Sequence, residues 1–159
     1  MDPQNRFTLS LAFSSLFCFI LLMRISQKLE YACRALAQLA KRHDAKNVTR
    51  LDELAQREAI SANFLVQILN DLRRAGLVES KRGKEGGYLL AKSPKQIRLA
   101  EIVEAIDPAL LTSSVSAEGE SGSSVAQCWQ GLAKEFQQKL QHITLEEISL
   151  SQGDAMFYI

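Results

Sequence analysis

The sequence is poor in the residues that build covalent or metal-bound scaffolds. Its 159 residues hold three cysteines, Cys18, Cys33 and Cys128, and two histidines, His43 and His142, all far apart. An odd cysteine count without close spacing excludes a disulfide framework and a structural zinc site, and it suits a reducing compartment. No nucleophile–base–orienter arrangement surrounds either histidine, so an enzyme is not expected. Both histidines fall at predicted helix C-termini, where partial positive charge is welcome. No internal repeat is present. The chain also lacks a comfortable membrane span. Phe7 to Met23 is a run of 17 residues without charge, short of the roughly 20 that cross a bilayer core.

That run has no small-x-small cleavage site before Arg24, and Ser15-Leu16-Phe17-Cys18 is a poor lipoprotein box. Three readings are open for residues 1–22. The polypeptide begins at Met23 and the preceding stretch is upstream sequence; or the stretch is a membrane anchor, with Arg24 and Lys28 holding the remainder in the cytoplasm; or it is a frayed tail. The abrupt change of composition favours Met23, and a membrane partner is expected only if the stretch is real. A cytoplasmic functional domain is expected.

What the chain does have is apolar residue, 47% of the total, against 23% charged. One domain of ordinary size, or one with an appendage, is expected. The formal net charge of +1 conceals a division. Residues 24–98 carry sixteen Lys/Arg against eight Asp/Glu, whereas residues 99–159 carry two against nine. A basic first half of this kind points to a polyanion-binding module with something else attached.

Ile25, Leu29, Ala32, Leu36 and Leu39 recur at helical spacing and predict one helix ending around Arg42-His43-Asp44. Thr49 is expected to cap a second, shorter helix with Leu51, Leu54 and Ala55 inward. After a break at Ala59-Ile60, Ser61 caps a third helix with Phe64, Leu65, Ile68, Leu69 and Leu72 as its buried stripe, and Gly76 ends it. Helix, tight break and helix is the helix-turn-helix pattern. Two short strands follow, Leu77–Ser80 and Gly87–Ala91, around the loop Lys81-Arg82-Gly83-Lys84-Glu85-Gly86. A basic hairpin directly after such a helix reads as a wing.

The fold class expected is therefore mainly α: a winged helix-turn-helix, three helices plus a two-stranded wing, with a long C-terminal dimerisation helix. The partner it suits is double-stranded DNA. The first turn of the third helix meets base edges in the major groove while the wing flanks it. Ser61, Asn63 and Gln67 lie on its polar face, and both amides can pair with adenine. Phe64 is included among the candidate contacts, although a core role suits it better. Arg82, beside Gly83 at the wing tip, fits a narrowed minor groove. Lys28, Arg73, Arg74, Lys81 and Lys84 are candidates for phosphate contact. The bland alternative is a solvated charged loop, and the rival function is a winged-helix adaptor that binds protein and no DNA.

Later, Val125, Trp129, Leu132, Phe136, Leu140 and Ile143 step close to a heptad seam. The opposite face carries Gln127, Gln130, Lys134, Gln137, Gln138 and Gln141. The stripe either packs on its own domain or pairs with the same helix of a second copy, making a homodimer through Trp129, Leu132, Phe136 and Leu140. Thr112 to Ala126, with six serines and two glycines, reads as a flexible solvated loop. Cys33 reads as a small buried apolar residue, and Cys128 as either a packing residue or a redox thiol. The boundaries expected are a tail at 1–22, a DNA-binding domain at 23–108, a linker at 109–124, a dimerisation helix and short C-terminal helix at 125–150, and a tail at 151–159.

The stretches Met23–Ala32, Leu72-Arg73-Arg74-Ala75-Gly76-Leu77-Val78 and Arg82-Gly83-Lys84-Glu85-Gly86-Gly87-Tyr88-Leu89-Leu90 resemble the Rrf-two (Rrf2) family of bacterial winged-helix regulators. So do Leu54-Ala55, Ile60–Leu65, Ile102–Ile106, Trp129 and Ile143–Ile148, and the resemblance covers about 23–150. It implies a homodimer on a pseudo-palindromic operator, usually as a repressor, with a long C-terminal helix making the dimer. It implies an effector too: in some members an iron–sulfur cluster on three cysteines ahead of that helix, in others thiol oxidation, a small molecule or a partner protein. This chain departs from the pattern twice. Its serine-rich segment has no cysteine, so no cofactor and no metal ligand is expected. Ala59 stands where Gly is often found; a left-handed backbone there would cost an alanine ~1 kcal/mol or more, so a differently shaped turn is expected.

Overall fold

Ser26 opens the first element, its Oγ accepting from the Leu29 N–H at 3.3 Å. The computed structural model describes residues 25–43, 48–112 and 114–150. The expectations for residues 1–22, for Asp44 and for the tail at 151–159 lie outside them. Helix α1, Gln27–Ala40, buries Leu29, Ala32, Ala35, Leu36 and Leu39. Ile25 departs from the expected stripe: it precedes the helix and is exposed.

Helix α2, Leu51–Glu58, and helix α3, Ala62–Arg74, follow, and α3 buries Leu65, Ile68, Leu69 and Leu72. These leucines and isoleucines, with Leu36 and Leu54, are almost wholly sealed. Each contributes roughly 1.5–3 kcal/mol by leaving water. Phe64 is only half-buried, packed edge-on to Tyr31 with ring centroids 5.9 Å apart. Strands β1, Val78–Lys81, and β2, Gly87–Leu90, pair antiparallel with Val78 opposite Leu90 and Lys81 opposite Gly87.

Two helices end in the same way on different residues. After α3, the Leu77 N–H donates to Leu72 O at 2.9 Å and the Gly76 N–H to Arg73 O at 3.0 Å, with Gly76 at φ +71°. This is the Schellman arrangement expected of a glycine. After α2, the Ile60 N–H donates to Ala55 O at 3.0 Å, and Ala59 takes the left-handed conformation, φ 53°, ψ 44°. The expectation of a differently shaped turn is therefore corrected. The α2–α3 turn keeps its left-handed residue and sets an alanine there.

Thr49 is a second correction. Residue Arg50, not Thr49, borders α2, and no side chain caps it. Thr49 is buried and pairs instead with β2: its N–H donates to Tyr88 O and the Tyr88 N–H to Thr49 O, both at 2.9 Å. Its hydroxyl has no partner among the described residues. A backbone pairing with the wing replaces the local cap. The approach is close, since a Cβ on Gly87 would stand 2.5 Å from Thr49 O.

Helix α4, Leu99–Ile106, buries Ile102, Val103 and Ile106. Burial pushes the Glu101 carboxyl up, but Lys92 Nζ at 2.8 Å and the Arg98 N–H at 2.9 Å outweigh it and hold it below the ordinary carboxylate range. A 3-10 turn, Pro108–Leu111, leads toward helix α5, Gly122–His142. The loop expected through Ala126 is thus shorter, because residues 122–126 are the first turn of α5. Helix α6, Leu145–Leu150, returns to the core against α1. The Leu99 N–H donates to Ile143 O and the Leu145 N–H to Ile97 O, each at 2.9 Å, and Leu145 is fully buried.

Candidate nucleic-acid interface

Ser61 caps the first turn of α3, its Oγ accepting from the Phe64 N–H at 3.3 Å. Ser61, Asn63 and Gln67 are exposed, as their spacing requires when Leu65, Ile68 and Leu69 face inward. The wing residues Lys81, Arg82, Gly83 and Lys84 are exposed as well. A cleft between the N-terminus of α2 and the wing is lined by Arg50, Ser80, Lys81, Arg82, Lys84 and Tyr88.

Several basic residues of this half are ion-paired. Lys28 is bound to Asp71 at 2.7 Å, Arg74 to the same carboxylate at 3.2 Å, Arg42 and Arg57 to Glu53 at 2.7 and 2.9 Å, and Lys92 to Glu101 at 2.8 Å. Lys28–Asp71 ties α1 to α3, whereas Arg74–Asp71 and Arg57–Glu53 lie within one helix, and their exposed settings make each worth little alone. The side chains of Lys81, Arg82 and Lys84 make no ion pair with any described residue. Lys28, an expected phosphate contact, is held to Asp71, a carboxylate that it shares with Arg74. Arg73 donates to Ser80 Oγ at 3.3 Å, linking the end of α3 to β1.

Arg50 escaped the sequence reading. Its Nη2 donates to Lys84 O at 2.6 Å, bracing the wing loop against the start of α2. The signal was there in principle, an arginine at a helix border in place of a capping residue, but its acceptor lies 34 positions away.

The proposed seam divides along α5. Val125, Trp129 and Leu132 are exposed, with Trp129 at 49% of its surface. Phe136 is half-buried against the domain core, and Leu140 is buried within it. Leu140 is therefore a core residue of its own protomer, because the chain turns back at Ile143 and draws that end of α5 onto α4.

Cys128 is exposed on α5, whereas Cys33 is partly buried on α1, and burial pushes its thiol up to about 11. Among the described residues no three Cys, His, Asp or Glu side chains stand close enough to hold a metal ion. No cysteine lies between Cys33 and Cys128 in the sequence. The donors present do not fit a cluster that needs three thiolates on one segment. No helix of the described residues is long and apolar enough to cross a membrane.

A capped helix after a tight turn, followed by an antiparallel wing, defines a winged helix-turn-helix protein. The chain belongs to the Rrf2 family, whose model, described as an iron-dependent transcriptional regulator, matches residues 25–150. It is thus a DNA-binding transcriptional regulator and not an enzyme. An IscR regulator from Cereibacter sphaeroides is 37% identical over 134 residues, covering 79% of this chain and 86% of that one. CymR from Bacillus subtilis is 32% identical over 141 residues, covering 86% of this chain and 100% of that one. The solved structure of CymR, the global cysteine regulator of B. subtilis, matches at a TM-score of 0.71 with 30% identity, over 80% of this chain and 97% of that one. The T. potens IscR structure matches at 0.68 with 28% identity, over 88% and 96%.

Proposed function

We propose that the chain acts in the cytoplasm as a homodimeric repressor on a pseudo-palindromic operator. Helix α3 enters the major groove with Ser61, Asn63 and Gln67 at base edges, and the wing places Arg82 in the adjoining minor groove. Lys81, Lys84 and Arg73 contact phosphates. The observation that carries the reading is the cluster of Lys81, Arg82 and Lys84 exposed beside α3 without an ion-pair partner among the described residues, whereas Lys28, Arg42, Arg57, Arg74 and Lys92 are paired. Cations that neutralise phosphates release the counterions condensed on the duplex, so binding through them weakens steeply with salt.

The second half of the proposal rests on Val125, Trp129 and Leu132, whose exposed side chains follow one face of α5. One winged module buries too little surface for high specificity, and a second copy brought by this face supplies the other half-site. The signal that releases the operator would be a small molecule, a partner protein or oxidation of Cys128. Footprinting on the promoter of the chain's own gene tests the proposal. A protected pair of half-sites is expected, with log affinity falling steeply with log salt. Binding that is shallow in salt and blind to sequence would favour the protein adaptor.

A further inference from the structure

One arginine joins α1 to the turn between α2 and α3. Arg34, in the middle of α1, donates from Nε to Glu58 Oε2 at 3.0 Å and from Nη2 to Glu58 O, while Nη1 reaches Glu30 Oε1 at 3.4 Å. Its guanidinium lies over the Tyr31 ring, 5.3 Å from the centroid. Tyr31 in turn packs edge-on against Phe64 in the first turn of α3 and receives a hydrogen bond from Gln27 Nε2 at 2.9 Å. The Glu58 side chain is only 12% exposed. The two Arg34 contacts to Glu58 reach the residue next to Ala59, which is held at φ 53°.

A non-glycine residue in that conformation is strained and persists only where its surroundings over-determine it. Glu58 immediately precedes Ala59, and both its carbonyl and its carboxylate are gripped by one planar fork. We infer that Arg34 is a positioning residue for operator recognition: it clamps Glu58, holds Ala59 left-handed, and through Tyr31 and Phe64 fixes the attitude of α3. The inference rests on the reading of α3 as the base-reading helix. Lysine substitutes poorly, because its ammonium is a point charge with rotatable donors and lacks the fixed planar fork that meets carbonyl and carboxylate together.

Arg34 and Ala59 are then coupled, and the coupling is measurable. Glycine at 59 takes the left-handed conformation without strain and no longer needs the clamp. The full chain is compared as wild type, R34A, R34K, A59G and R34A/A59G. Each is measured for operator affinity, for affinity to a scrambled duplex, and for the unfolding midpoint without DNA. R34A is expected to lose about tenfold in operator affinity and less than about twofold on the scrambled duplex, since a tilted α3 loses base contacts before phosphate contacts. R34K should resemble R34A. A59G alone should change little, and in the R34A background it should recover most of both the affinity and the midpoint. Equal losses from R34A with Ala or Gly at 59, or full activity in R34K, would overturn the inference. If R34A does not fold, the same comparison is made in R34K and R34K/A59G. A wild-type protein that does not prefer the operator would sink the base-reading role, whereas the clamp itself would still stand or fall on the midpoints.

Discussion

The winged head and the α5 arm expose opposite kinds of surface, and each is held in the manner its surface demands. In the head the exposed groups are cations and amides, while the backbone beneath is locked by the Thr49–Tyr88 pairing, the Arg50–Lys84 hydrogen bond and two closed helix ends. In the arm the exposed groups are Val125, Trp129 and Leu132, and little of this chain lies against them. A polyanion is met by fixed charge on a rigid frame. An apolar face instead needs another apolar face, and its own protomer leaves Val125, Trp129 and Leu132 open.

The largest expected effect breaks the arm. Leu132→Asp sets a carboxylate in the exposed stripe without touching the core, so the protomer should fold but sediment as a monomer. Operator affinity should fall by roughly 10²-fold or more as the second half-site contact is lost. Phe136→Asp is a poorer probe, because Phe136 also packs on the domain. Wild-type protein that sediments as a monomer at micromolar concentration would remove the dimer from the proposal.

The next effects sharpen the head. Arg82→Ala should cost ~1–3 kcal/mol of operator binding if its guanidinium enters a groove, whereas Lys84→Ala should weaken operator and random duplex alike and reduce the salt slope by about one contact. Titrations at several salt concentrations separate the two. If Arg82→Ala binds the operator as wild type does, the wing does not read DNA. The smallest effect compares the two regions through their thiols. Burial keeps Cys33 protonated well above neutral pH, with a value of about 11, so a thiolate-selective alkylating agent at pH 7.5 should modify exposed Cys128 and spare Cys33 until the protein unfolds. Mass spectrometry of the labelled peptides checks this. Labelling of Cys33 at the same rate would mean that α1 opens locally.

The head was far more legible than the arm, for reasons that individual residues show. Ser61 and Gly76 announce the ends of α3 because cap and terminator act within a few positions. Gly83, Gly86 and Gly87 between two apolar runs announce the wing. Thr49 misled because a threonine before a helix resembles a cap, while its true partner is Tyr88, 39 positions later. Ala59 misled because the cost of a left-handed alanine argues for another turn shape, whereas the turn keeps that conformation, and the Arg34 contacts to the neighbouring Glu58 come from a helix that local sequence does not bring near. Along α5, periodicity groups Trp129, Leu132, Phe136 and Leu140 on one stripe. It cannot divide them between the chain's own core and an outside surface. That division is made by the return of the chain at Ile143, which depends on backbone pairing with Ile97 and Leu99.

The burial of α5 at both ends has a mechanical consequence. Leu140 is sealed in the core and Ala126 is buried near the other end, a separation of roughly 21 Å of helix. A rod held at two points cannot tilt about one of them alone, so it moves with its protomer as one piece. Two such rods laid together along Val125, Trp129 and Leu132 would pass a displacement of one body directly to the other.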